Sequence, residues 1–240
     1  MLKLFIKGFF ITVLIVTPVF ASDTLSTFHR QADISYPEPI AEEAYFATKA
    51  PMESKIMKHV GINLGIGIVP LKSEVTINNV SQTQDKRPMI YNAGIDYGYG
   101  GNLQHLYIDA ESGAVFNLLD RSITDTVNGH STELSVKMPV TGYLDLRPGF
   151  LSYNRNFLFY GRVGVGGSWF KLKFTDNTVT NSTDEVNFGL RLGVGLENII
   201  NDTFSWRIEY VHTKYKKINN NAYSLKSSAN QVGLGLMVYF

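Results

Sequence analysis

The groups in this sequence that could do chemistry are few and scattered. His130-Ser131-Thr132-Glu133 sets an imidazole, a hydroxyl and a carboxylate close together, the ingredients of nucleophilic acyl chemistry. On an extended segment, however, His130 and Ser131 are immediate neighbours and point to opposite faces. The five histidines, His29, His59, His105, His130 and His212, fall at no metal-ligand spacing and read as surface or interface residues. Gly164 to Gly167 is glycine-rich, but no helix follows it to complete a phosphate cradle. There is no Cys, which excludes disulfides, thiolate metal sites and Cys nucleophiles. The formal net charge of +1 gives no bulk case for nucleic acid or an acidic partner. We therefore expect no catalytic residue, no metal and no cofactor.

A second set of ionisable residues is ordered. Asp96, Asp109, Glu111, Asp145, Glu197 and Glu209 fall on one face of alternating segments, as do Lys137, Arg147, Arg162, Arg191 and Arg207. The elements that carry them read as strands. In the last twelve residues, Val232, Leu234, Leu236, Val238 and Phe240 alternate with Gln231, Gly233, Gly235, Met237 and Tyr239. The same period of two predicts strands near 59–69, 90–99, 106–118, 133–147, 157–174, 186–197 and 203–216, each with an aliphatic or aromatic face and a face of polar residues and glycines. Bulges are expected near Gly113, Pro139 and Gly167, where alternation falters. Polar loops are expected at 71–88, 119–131, 175–185 and 217–228, with shorter turns at 100–102, 148–156 and 198–202.

An exported chain of this kind crosses a membrane only as a closed barrel, because every backbone polar group needs a partner in lipid. Export is read from residues 1–21: Lys3 and Lys7, an apolar run from Gly8 to Phe20, and Val19-Phe20-Ala21 as a cleavage site. No later apolar run reaches the ~20 residues of a membrane helix. Eight strands with alternating short and long connections predict an all-β, eight-stranded antiparallel up-and-down transmembrane barrel over 58–240. Residues 22–57, with Pro37, Pro39 and Pro51, are read as a periplasmic leader or a plug. Phe157, Phe159, Phe204, Trp206, Tyr97, Tyr99 and Phe240 would form one aromatic girdle, and Tyr91, Trp169, Phe170, Phe188 and Tyr210 the other. The charged face then lines a narrow interior. A lone charge there would cost several kcal/mol, so acids and bases are expected to pair into a structural network that closes the lumen (roughly balanced in sign).

The alternating strands, the Gly-Val-Gly and Gly-Leu-Gly steps at 164–166, 193–195 and 233–235, and the terminal Phe240 resemble the OmpA/OmpX-like and opacity-type outer-membrane barrel family. That resemblance implies the outer membrane of a Gram-negative bacterium, Phe240 as the assembly signal read by the barrel-assembly machinery, and outer-membrane lipid around the wall. It implies fold more than activity. Lipid A deacylases of this shape use His-x-Ser, from which His130-Ser131 departs, and palmitoyl-transfer barrels use Asp-Ser, which is missing here. The expected function is a non-enzymatic surface barrel whose loops 71–88, 119–131, 175–185 and 217–228 meet a surface ligand, in adhesion, host contact or membrane integrity. The alternatives are an outer-membrane lipid-modifying enzyme and a narrow small-solute channel.

Overall fold

The computed structural model describes residues 55–77, 80–103, 105–127, 130–153, 155–176, 179–219 and 223–240. The expected signal peptide, residues 1–21, and all of the 22–57 segment except Lys55 to Met57 lie outside the described residues. Those three belong to the first strand, which starts at Lys55.

Eight long strands make the ring: β1 (Lys55–Ile68), β4 (Met89–Leu103), β5 (Leu106–Leu118), β7 (His130–Leu151), β8 (Phe157–Asp176), β9 (Val179–Ile199), β10 (Phe204–Tyr215) and β12 (Tyr223–Tyr239). Each pairs antiparallel with the next in that order. β12 closes on β1 in a register running from His59↔Tyr239 to Ile68↔Asn230. Four shorter strands extend one end: β2 (Leu71–Ile77), β3 (Val80–Lys86), β6 (Asp120–Val127) and β11 (Ile218–Asn219). β2 and β3 form a hairpin that adds to the upper part of β12, β6 pairs with upper β7, and β11 with β12.

Strand length explains this second storey. A barrel strand needs about 9–11 residues to cross the hydrocarbon, whereas β7 has 22, β8 has 20 and β9 has 21. The outward face records where lipid stops. Along β8 it carries Phe157, Phe159, Val163 and Val165, then the half-buried Trp169, then the exposed Lys171 and Lys173. Along β9, Val194, Leu192 and Leu190 are 56–66% exposed aliphatics, and Asp184 and Ser182 stand above them. Exposed leucines in a continuous belt face hydrocarbon; lysines above it face water.

Above that level the inside changes as well. Leu134, Val136, Met138, Phe170, Leu172, Phe174, Leu71, Ile123, Ile218 and Leu225 point inward and pack into one buried cluster. Phe170 meets Tyr215 edge-on at 5.4 Å between ring centroids, and Phe174 stacks on Tyr223 at 5.7 Å. The extension is thus a β-crown with an ordinary soluble core: apolar inside, polar outside, the reverse of the lipid-embedded part.

This inversion corrects several expectations. The segments expected to be loops, 71–88, 119–131, 175–185 and 217–228, are largely β-structure. β8 has no bulge at Gly167: its pairing with β9 runs unbroken through Gly166↔Gly189 and Gly167↔Phe188. What changes there is the solvent, so Phe170 is buried in the crown and does not join the outer girdle. β5 has no bulge at Gly113 either, since its register is continuous on both sides. The bulge expected at Pro139 is present: the β7–β8 register jumps between Lys137 and Val140. In β7 the inversion and the bulge cancel. Leu134, Val136 and Met138 face in above it, and Leu144 and Leu146 face out below it, yet all five share one parity.

Candidate functional site

The lumen of the lower barrel holds most of the expected ionic set, and, with the groups bonded to it, every ring strand contributes. Glu111 is fully buried at the centre. It accepts hydrogen bonds from Arg147 Nη1 at 2.9 Å and Arg207 Nη1 at 2.5 Å, and from Arg162 Nη2. Around this hub each arginine reaches a second acid. Arg147 donates to Glu197 at 2.9 Å and Asp109 at 3.3 Å, and Arg207 to Asp96 at 2.9 Å. Arg162 lies 3.3 Å from Asp145 and 3.1 Å from Glu209. Arg191 Nε donates to both oxygens of Asp145, at 3.2 and 3.1 Å. Guanidinium suits this role, because its planar fork serves several carboxylates at once and stacks on rings. Arg147 sits 4.1 Å from the centroid of Tyr160, and Arg191 4.2 Å from that of Tyr143.

Neutral groups also donate to the acids. Asn63 donates to Asp96 at 2.8 Å, Tyr107 to Asp109 at 2.8 Å and Tyr160 to Glu209 at 3.0 Å. Ser205 donates to Glu197 at 2.6 Å, and Tyr239 donates to the same oxygen. Glycine makes room for these large groups. A Cβ on Gly98 would lie 2.0 Å from the His59 ring, and one on Gly195 would lie 2.2 Å from the Tyr160 ring. The glycine-rich inner face is therefore the other half of the aromatic and arginine packing.

Ten of the eleven expected network residues meet here. Lys137 does not. The bulge at Met138 and Pro139 turns it outward, where it is 51% exposed and pairs with Asp120 at 2.6 Å. His59 is the residue the sequence reading missed. It is completely buried, 3.4 Å from Glu111 and 3.7 Å from Asp109, with Arg147 Nη1 3.4 Å away. Its parity with Gly61 and Asn63 on β1 was the available signal. Phe240 is exposed, and its backbone pairs with Lys58 in closing the ring. The side chain of His130 lies outside the described residues, and Ser131 is exposed on the crown.

His59, Asp96 and Glu111 bring possible ligand atoms within 4.8 Å of one another. Arg207 already donates to Asp96 and Glu111, and Arg147 and Arg162 to Glu111, so a metal cation there would face three guanidiniums. The cluster reads as ion pairing.

The lumen is capped at both ends. Above it, Asn117 donates to Thr141 at 3.0 Å, Thr141 and Ser168 share a 2.7 Å hydrogen bond, and Ser168 donates to Tyr215 at 2.7 Å, directly under the crown's apolar core. Below it, Tyr107, Leu151, Leu158 and Tyr160 pack with Met57 and Ile199. Within the network a cavity of about 30 Å³, lined by Asn63, Tyr143, Arg162 and Glu209 among others, has room for roughly two waters.

Comparison with known proteins bears on this architecture. The family model described as "Outer membrane protein beta-barrel domain" matches residues 44–240. A 22 kDa outer membrane protein of Rhizobium leguminosarum bv. viciae is 31% identical over 97 residues, which cover 38% of this chain and 44% of that protein. The chain thus aligns with less than half the length of that relative. Among solved structures, OprG of Pseudomonas aeruginosa has a TM-score of 0.45 at 15% identity, covering 76% of this chain and 95% of that one. The outer membrane protease OmpT of Escherichia coli has a TM-score of 0.46 at 12% identity, covering 80% and 98%. Neisserial surface protein A has a TM-score of 0.41 at 12% identity, covering 76% and 97%.

Proposed function

The chain belongs to the outer membrane protein β-barrel domain family and resides in the outer membrane of a Gram-negative bacterium, and from that premise we propose that it is a non-enzymatic surface barrel that displays its crown outside the cell. The observation that carries this reading is the pairing of a lumen filled by ion pairs with a crown that has its own packed core. A filled lumen supports a mechanical role for the barrel: a rigid post, with Phe240 as its assembly signal. A packed crown presents a fixed surface, suited to adhesion, host contact or membrane integrity. The ligand surface is then the crown's outer face and the exposed ends of segments 71–88, 119–131, 175–185 and 217–228, and it is more rigid than a set of loops.

The chain has no Cys, so single cysteines report cleanly. Thr124 is exposed on β6 in the crown, and Asp202 is exposed in the short turn between β9 and β10. On intact cells a membrane-impermeant maleimide should label Thr124→Cys and spare Asp202→Cys until the outer membrane is opened. Labelling of Asp202→Cys alone would reverse the orientation and overturn the display function. Lipid A extracted from cells with and without the protein should have the same mass; a changed acyl complement would overturn the non-enzymatic reading.

A further inference from the structure

The bulge that turns Lys137 outward also shapes a groove of about 410 Å³ on the outside of the barrel. Its apolar part includes Met89, Leu118 and Pro139; its charged part is Asp120, Arg121, Lys137 and Lys171. Leu118 is exposed and pairs in register with the girdle residue Tyr91, so it continues the lipid-facing wall. Lys171 Nζ lies 4.5 Å above the ring of Trp169, and Trp169 is opposite Val140 where the belt ends. An indole at this level marks the boundary between hydrocarbon and water. The groove therefore straddles that boundary, with grease below and charge above.

Its charge is unbalanced. Lys137 and Lys171 are direct cross-strand partners, a like-charge placement that is unfavourable without an anion between them. Among the described residues of the lining Asp120 is the one carboxylate; it pairs with Lys137 in a largely exposed contact, and these residues keep a net charge of two positive units. Asp184 stands beside Lys171 on β9, on the side away from the groove.

We propose that this groove binds an anionic, phosphate-bearing lipid of the outer leaflet. The phosphate sits among Arg121, Lys137 and Lys171, and the first acyl methylenes lie over Leu118 and Met89. Both halves of the surface are then covered by one molecule. A soluble phosphate ion would satisfy the cations and leave the leucine and methionine uncovered. The resulting contact fixes the height and rotation of the crown relative to the lipid around it.

The test uses Trp169 as reporter, in a Trp206→Phe protein folded in a neutral maltoside detergent. Phosphatidic acid should shift Trp169 emission at concentrations at which phosphatidylcholine with the same chains and inorganic phosphate do not. Replacing both groove lysines (Lys137→Gln with Lys171→Gln) should raise the half-saturating lipid concentration about tenfold or more at low salt, and added salt should have a similar effect. The paired change Lys72→Gln with Lys226→Gln, at exposed crown positions on β2 and β12, should leave it unchanged. Far-UV spectra and retained crown packing confirm that each variant is folded. Three results would each overturn the proposal: equal response to the two lipids, saturation by inorganic phosphate at the lipid's concentrations, or equal loss in both lysine pairs.

Discussion

Replacing Glu111 with Gln should cost about 3–5 kcal/mol of unfolding free energy, by analogy with other buried pairs broken from one side. Glu111 is fully buried and takes hydrogen bonds from Arg147, Arg162 and Arg207. Gln keeps the shape and removes the charge, so three guanidiniums lose their shared counter-ion in a site closed to bulk water. The neighbouring acids do not make up the loss, because Asp96, Asp109, Glu197 and Glu209 are already engaged by the same arginines. Asp120→Asn is the control. It breaks the contact with Lys137 on the outside, where both side chains are more than half exposed, and should cost well under about 1 kcal/mol. Denaturant unfolding from lipid vesicles measures both. Equal costs would mean that the lumen network is hydrated like a surface and does not seal the barrel.

The second large effect belongs to the outer wall. Leu192→Arg should destabilise the folded barrel in vesicles by about 2–4 kcal/mol, the cost of a cation near the bilayer midplane. Leu192 is 56% exposed and pairs with Val163, midway between Phe157 and Trp169 on the lipid-facing side of β8. In a water-soluble protein such a change would be nearly neutral. Thr124→Arg, on the exposed crown, should change stability by no more than about 0.5 kcal/mol, as at an ordinary surface site. The same vesicle unfolding assay reads both, and a neutral Leu192→Arg would place that row of leucines in water or against protein.

The ring was legible in the sequence because lipid and lumen impose opposite demands on successive residues. Over Val186 to Glu197 or Val232 to Tyr239 the alternation is unbroken, and the inward acids and arginines follow from it. The crown was not legible as structure for a physical reason. Above Trp169 water replaces lipid outside, so Lys171 and Lys173 take the outward places that Val163 and Val165 hold below. A reading that treats apolar as outward then sees a change of parity at Gly167 where none exists. Short crown strands such as Leu71–Ile77 still alternate, with Leu71, Ser73 and Val75 inward against Lys72, Glu74 and Thr76, but their polar content looks like loop.

The site shows the same limits. Ten of its charged residues lie on uninterrupted parity and were found. Lys137 lies beyond the bulge, one residue out of step with Asp145 and Arg147, and only the three-dimensional register reveals that. His59 was passed over because a lone histidine near a strand end usually sits at an interface. One of its partners is Glu111, fifty-two residues later in the chain. Long-range ion pairs of this kind leave no local spacing to read.

The most direct test is a tryptophan scan along β9 in a protein lacking Trp169 and Trp206, placing one indole at Asp184, Phe188, Leu190, Leu192 or Val194 and measuring quenching by lipids brominated along their acyl chains. These positions all face outward. Quenching should be strongest around Leu192, weaker at Phe188 and negligible at Asp184, tracing a wall that enters hydrocarbon below the crown and leaves it near Trp169. Weak, uniform quenching at all five positions would mean that the aliphatic rows do not touch lipid, and would contradict both the greasy exterior and the sealed ionic interior that it encloses.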